Sequence, residues 1–306
     1  MLRRSIKPLL QVSELSALLS HPQASQNLKI VNTNYATQLP TYTAYNPPVK
    51  SDHIFLNKRL PTARHIDLVN IGDKSQGLPA MLPKQENFRE LMKELDIGVN
   101  DHVVCYGDDN IVGPCRAFWM FRVFGVPNVS ILNGPISLWQ NYGGKIEEGN
   151  QTWKATLKPR DPKDFEFTLN KDLVTEMIEI QRLIEAKKSD LQLIDTRKEK
   201  AYQGENNDLA GTRTGHIPTF RNLPFVDLLK EDGSFKSEEE LNRILRERNF
   251  SLDTPTIVSC NSGMTASVVF YAMHLVGKHR KLSLYDGSWT EWSKHEQNPV
   301  TKGASA

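Results

Sequence analysis

Two passages of the chain read alike. One runs from Gly125, GVPNVSILNGPISLWQ, and the other from Gly277, GKHRKLSLYDGSWTEWSK. Each carries a glycine, a polar turn, a short apolar run, Asn-Gly or Asp-Gly, and a segment with tryptophan. Gly134 and Gly287 lie 153 residues apart, and so do Trp139 and Trp292. A period of that size is a duplicated domain, whereas solenoids repeat every ~20–50 residues. Upstream stretches agree: LKIVNTN (28–34) parallels LQLIDTR (191–197), and RLPTARHIDL parallels HIPTFRNLPF.

Within each half, strand-like and helix-like patterns alternate. DHVVCYG and PTIVSC read as buried strands, each leading through a loop into an apolar helix. Phe88, Leu91, Met92 and Leu95 form one helical stripe, and Leu241, Ile244 and Leu245 another. Alternation of this kind predicts an α/β fold, with a mostly parallel sheet flanked by helices in each half. Between the halves lies YGGKIEEGNQTWKATLKPRDPKDFEF, with glycines, Pro159, Pro162 and many charges. It reads as a surface linker. The expected division is an N-terminal domain over 1–145, a linker over 146–168 and a C-terminal domain over 169–306. Val12, Leu15, Leu18 and Leu19 share one helical face, which predicts a first helix there. The early positive charges leave a mitochondrial presequence as the other reading.

Composition removes several function classes. With 24% charged residues, a formal net charge of +2 and no basic block, nothing reads as a nucleic-acid patch. No run approaches the ~20 apolar residues of a membrane span. Cys105, Cys115 and Cys260 form neither a disulfide framework nor a CxxC pair. A reducing compartment, the cytoplasm, is expected. Metal-ligand spacing, a Walker loop and a dinucleotide fingerprint are all absent, so neither metal nor cofactor is expected.

Chemistry concentrates in SCNSGMTAS, from Ser259 to Ser267. Cys260 is expected at the carboxyl end of a strand, where open α/β sheets bind ligands. A helix should begin near Thr265 or Ala266 and present free amides and a positive dipole end. Gly263 suits a turn that curls the loop amides inward as an anion nest. A thiolate beside a helix N-terminus is a nucleophile that needs no dedicated base. Cys105 and Cys115 read instead as buried small apolar residues. A tyrosine-type phosphatase would place an arginine six residues after the cysteine to grip phosphate. Here that residue is Ala266, which leaves sulfur transfer through a persulfide.

At this point the chain resembles the two-domain rhodanese superfamily, and within it the 3-mercaptopyruvate sulfurtransferases. The resemblance runs through LIDTR, GHIPTFRNLPF, the cysteine loop and YDGSWTEW in the C-terminal half. MLP, DHVVCYGDDN, AFWMFRVFG and ILNGPISLW carry it in the N-terminal half. It implies two tandem rhodanese-like domains, with the catalytic cysteine in the second alone. The matching N-terminal loop, YGDDNIVG, offers Asp108 and Asp109 and no nucleophile.

The family's mercaptopyruvate loop reads C-G-S-G-V-T, against Cys260-Asn261-Ser262-Gly263-Met264-Thr265 here. Thiosulfate-preferring members carry basic residues after the cysteine, and Asn261 and Ser262 are neutral. The resemblance gives Ser262 the role of polarising substrate or relaying a proton. It also implies a small sulfur donor, and as acceptor cyanide or a thiol (a small molecule or a thioredoxin-like protein). The chain departs from the family elsewhere. The arginine expected to bind substrate carboxylate is Ala201, the histidine before Met-Leu-Pro is Ala80, and Val69 replaces an acid while Asp67 retains another. Arg213, Arg197 and Lys200 are therefore the substrate-binding candidates, with Arg221 behind them. Arg197 is expected first to pair with a carboxylate, and His216 to shape a turn. These departures motivate an alternative: an inactive or weakly active scaffold that binds a partner or carries persulfide sulfur.

Overall fold

A computed structural model describes residues 6–21, 27–35, 55–149, 160–206, 211–277 and 281–304. The N-terminal half builds a parallel sheet from β1 (Leu9–Leu10), β2 (Leu28–Asn32), β3 (Arg64–His65), β4 (His102–Tyr106) and β5 (Val129–Leu132), in the order β1-β5-β4-β2-β3. The C-terminal half repeats it with β6 (Val174–Thr175), β7 (Gln192–Asp195), β8 (Arg221–Asn222), β9 (Thr256–Ser259) and β10 (Leu282–Tyr285), in the order β6-β10-β9-β7-β8. β4 and β9 are the central strands, paired in parallel with both neighbours.

Both faces of each sheet are covered, so the central strands are apolar at successive positions rather than alternating with polar ones. The alternation appears instead as a choice of core. Val103 and Cys105 face a large central core, while Val104 and Tyr106 face an outer one. In the second sheet Val258 faces the central core and Ile257 an outer one with Trp289 and Trp292. The central core draws on both halves and is continuous between them.

The α-helices that frame the two sheets are α1 (Val12–Ser20), α2 (Gln85–Glu94), α3 (Val112–Val123), α4 (Ile136–Asn141), α5 (Met177–Glu185), α6 (Glu199–Gln203), α7 (Glu238–Glu247), α8 (Ala266–Val276) and α9 (Ser288–Lys294). The expected stripes bury Leu15 on α1, Phe88 and Met92 on α2, and Leu241 and Leu245 on α7. Ser237 starts α7 with a reciprocal capping box to Glu240. α3 and α8 follow the two central strands and pack on one another, buried nearly all round. Phe118 of α3 meets Tyr271 of α8 edge to face at 4.7 Å. No helix among the described residues is long and apolar enough to cross a membrane.

The far end of the expected linker is anchored on the N-terminal half. Arg160 reaches Asp101 at 2.7 Å and Asp164 at 3.1 Å. Phe167 is buried against Phe88, edge to face at 5.1 Å.

Candidate active site

β9 ends at Ser259, and Cys260 is the next residue. The period of two that turns Val258 toward the central core turns Cys260 the same way, so its side chain lies between the halves. Cys260 is 2% exposed. Gly263, with φ +73°, bends the chain into α8, which starts at Ala266.

The loop's outer side is held by the start of α9. The Cys260 carbonyl accepts from the Trp289 amide at 2.9 Å, and the Asn261 carbonyl from the Thr290 amide at 3.0 Å. The Thr290 hydroxyl adds a bond to the same Asn261 carbonyl at 2.6 Å. Ser288 clasps the loop from within: its Oγ accepts from the amides of Cys260 (3.2 Å) and Gly263 (3.1 Å). Its own proton goes to the Tyr285 carbonyl at 2.7 Å. With these carbonyls turned outward, the amides of Asn261, Ser262, Met264, Thr265 and Ala266 have no acceptor among the described residues. They are the donors that a loop and helix N-terminus present to an anion.

The N-terminal copy shows what the C-terminal copy adds. There the Ile136 amide donates to the Gly107 carbonyl at 3.1 Å, the counterpart of Trp289 and Cys260 at the same 153-residue offset. Gly107 thus stands where Cys260 does, and Pro135, which has no hydroxyl, stands where Ser288 does. Asp108 takes the place of Asn261 and is buried, with one oxygen accepting from Asn32 Nδ2 at 3.3 Å. Burial pushes its carboxyl up to about 6. Asp109, in the place of Ser262, is exposed.

The loop residues singled out in the sequence come together in one turn. Ser262 and Met264 are buried, and Met264 joins the central core. Thr265 Oγ1 lies 3.4 Å from Thr196 Oγ1, beyond the end of β7. The three arginines among the candidates are engaged elsewhere. Arg197 is buried, bound to Asp195 at 2.6 Å and to the Gly215 carbonyl at 2.8 Å, with its guanidinium over Trp289. Arg213 donates to the carbonyls of Trp292, Ser293, His295, Glu296 and Asn298, at and beyond the end of α9. Arg221 lies over Phe250 and donates to the Asn249 carbonyl at 3.1 Å. Lys200 is exposed on α6, beside the buried Ala201.

Other residues are structural in their contacts. His216 Nδ1 donates to the Tyr202 carbonyl at 2.8 Å and its ring stacks on Tyr202. Burial pushes the thiols of Cys105 and Cys115 well up, so both remain protonated. Asp67 accepts from the amides of Val69 and Asn70, closing a local turn, and Ala80 is buried with φ +54°. Among the described residues no three His, Cys, Asp or Glu side chains cluster as a metal site.

Sequence reasoning missed Ser288 as a clasp, and Arg116 and Asp286 beside it. The available signal was a difference within the repeat: Asn133-Gly134-Pro135 in one half becomes Asp286-Gly287-Ser288 in the other.

The model of the rhodanese-like domain matches twice, at residues 24–142 and 177–295. The chain is 35% identical over 247 residues to 3-mercaptopyruvate sulfurtransferase of Escherichia coli (strain K12), covering 80% of this chain and 84% of that protein. It is 35% identical over 252 residues to thiosulfate sulfurtransferase of Bos taurus, covering 81% of each. The crystal structure of SseA from Escherichia coli, a 3-mercaptopyruvate sulfotransferase, superposes with a TM-score of 0.77 at 29% identity. That match covers 92% of this chain and 99% of SseA. With two matching domains, two matching sheets and relatives along four-fifths of its length, the chain belongs to the rhodanese family of sulfurtransferases.

Proposed function

We propose that Cys260 takes sulfur from 3-mercaptopyruvate, holds it as a persulfide, and delivers it to a thiol or to cyanide. In the first step the Cys260 thiolate attacks the donor's sulfur. The carbon–sulfur bond breaks, its electron pair goes to the carbon, and protonation there releases pyruvate. In the second step an acceptor thiolate attacks the outer sulfur, the sulfur–sulfur bond breaks, and the Cys260 thiolate returns. Ser262, next but one to Cys260, is assigned the proton transfer to or from the donor.

The observation that carries this reading is the set of amides without an acceptor among the described residues, around a cysteine whose loop carbonyls are tied to α9. Such donors stabilise a sulfur anion in a site with little water. The relatives include both mercaptopyruvate and thiosulfate enzymes at equal identity, so similarity does not choose the donor. Asn261 and Ser262, both neutral, favour the mercaptopyruvate monoanion over the thiosulfate dianion. Free cysteines throughout the described residues suit a reducing compartment, in the first instance the cytoplasm.

A second reading rests on one observation. Arg197 and Arg213 are occupied by Asp195 and by backbone carbonyls, which leaves Lys200 to meet a donor carboxylate. A persulfide borne by a protein has no carboxylate to bind, so the chain would then be a carrier between protein thiols. Intact-mass analysis separates these outcomes. Incubation with mercaptopyruvate is expected to add one sulfur to the wild type and none to Cys260→Ser. If neither mercaptopyruvate nor thiosulfate adds sulfur, while a protein persulfide does, the carrier reading replaces the first.

A further inference from the structure

The Gly263 turn rests on a charge pair that joins the two halves. Asp286 directly follows β10 and is buried, with Oδ1 2.7 Å from Nη1 of Arg116, a buried residue of α3. Asp286 Oδ2 accepts from the Leu82 amide of the N-terminal half at 2.8 Å. The other arm of Arg116, Nη2, donates to the Ala80 carbonyl at 2.6 Å, and the guanidinium lies over Trp119. A Cβ on Gly263 would stand 2.8 Å from Arg116 Nη1 and 2.9 Å from Asp286 Oδ1. The glycine three residues after Cys260 is therefore pressed against both members of the pair.

The duplication provides an internal control. At the 153-residue offset Asp286 corresponds to Asn133, Leu82 to Phe235, and Arg116 to Val269. Asn133 Oδ1 accepts from the Phe235 amide at 2.9 Å, the counterpart of the bond from Leu82 to Asp286. The halves are thus docked twice by the same side-chain-to-amide bond. Only the copy beside Cys260 replaces the neutral Asn and Val with an acid and a base. Burying charges carries a desolvation cost, and the opposite interface shows that docking does not require them.

We propose that Arg116 is a positioning residue of the sulfur-transfer site. Paired with Asp286, its guanidinium fixes the Gly263 turn from the other half and so holds the loop amides toward the Cys260 sulfur. The N-terminal domain, whose own loop has no cysteine, then contributes a side chain to the working of the other. This inference rests on the sulfur-transfer reading of Cys260.

The test compares wild type, Arg116→Gln, Arg116→Lys and the double variant Arg116→Val with Asp286→Asn. The double variant installs the pair already used at the opposite interface, so it is expected to fold with a thermal midpoint near that of wild type. Two rates are read per titrated thiol: single-turnover sulfuration by mercaptopyruvate, and alkylation by iodoacetamide at neutral pH, which needs no sulfur donor. Loss of the clamp is expected to slow both by roughly 10- to 100-fold, the scale of a misplaced reacting group. Arg116→Lys, which keeps the charge but not the fork, should recover part of each. A folded double variant with wild-type rates overturns the proposal and leaves the pair a docking contact. Should the double variant fail to fold, a folded Arg116→Gln with wild-type rates overturns it equally. If the wild type alkylates normally but takes no sulfur from either donor, the sulfur-transfer reading fails, and the alkylation rates still decide the role of Arg116.

Discussion

Ser288 does at one residue what the loop needs at two, accepting from both Cys260 and Gly263 while holding φ +52°. Ser288→Ala leaves two buried amides without an acceptor and is expected to lower stability by about 1–3 kcal/mol. It should also slow sulfuration, since the nest is no longer held. Ser288→Gly loses the same hydroxyl but relieves the left-handed backbone, so it should be more stable than the alanine variant. Urea denaturation of the three proteins checks the order. Asp108 makes the opposite kind of contribution. Its carboxyl is raised by burial to about 6, so between about pH 4 and that value the folded chain holds more proton than the unfolded one. Stability therefore falls as pH rises through this window, and the penalty, about 1–3 kcal/mol, is fully present above it. Asp108→Asn, which keeps the acceptor for Asn32, should be more stable than wild type at pH 7.5 and equal to it near pH 4. Equal stability at pH 7.5 would contradict the burial argument.

At the scale of elements, α9 couples the site to the rest of the domain. Its first turn clasps the cysteine loop, and its last carbonyls are capped by Arg213. Helix C-termini leave carbonyls unsatisfied and carry a partial negative charge, so a guanidinium there is doubly favoured. Arg213→Met is expected to lose about 2–3 kcal/mol of stability, on the scale of hydrogen bonds from a charged donor. The KM for mercaptopyruvate should stay at its wild-type value. A raised KM with unchanged stability would return Arg213 to substrate binding.

At the scale of the whole molecule, the two sheets share one central core, built where α3 and α8 cross. A core shared in this way predicts that the halves unfold together, although tandem domains often do not. Calorimetry of the full chain should show one transition. Phe118→Ala, which empties the contact with Tyr271, should move that transition down by about 3–5 kcal/mol of stability rather than split it. Two resolved transitions in the wild type would separate the domains energetically.

The duplication, the alternation of strand and helix, and the cysteine at a strand end were legible in one dimension. Each depends on local spacing: Gly134 to Gly287, the stripe Leu241, Ile244 and Leu245, the step from Ser259 to Gly263. The loop's chemistry followed from the same kind of local fact, the absence of an arginine at Ala266. The cations were not legible in this way. Arg197, Arg213 and Arg116 look alike as letters, and only the fold decides which meets Asp195, which caps a helix and which crosses to Asp286. A charged side chain is defined by the partner that desolvation forces it to find, and those partners lie 2, about 80 and 170 residues away. Sequence by itself determined that the chain folds as two copies of one unit, with the candidate nucleophile Cys260 in the second. Only the tertiary structure decided what surrounds that thiol, because the groups holding its loop come from another helix and from the other copy.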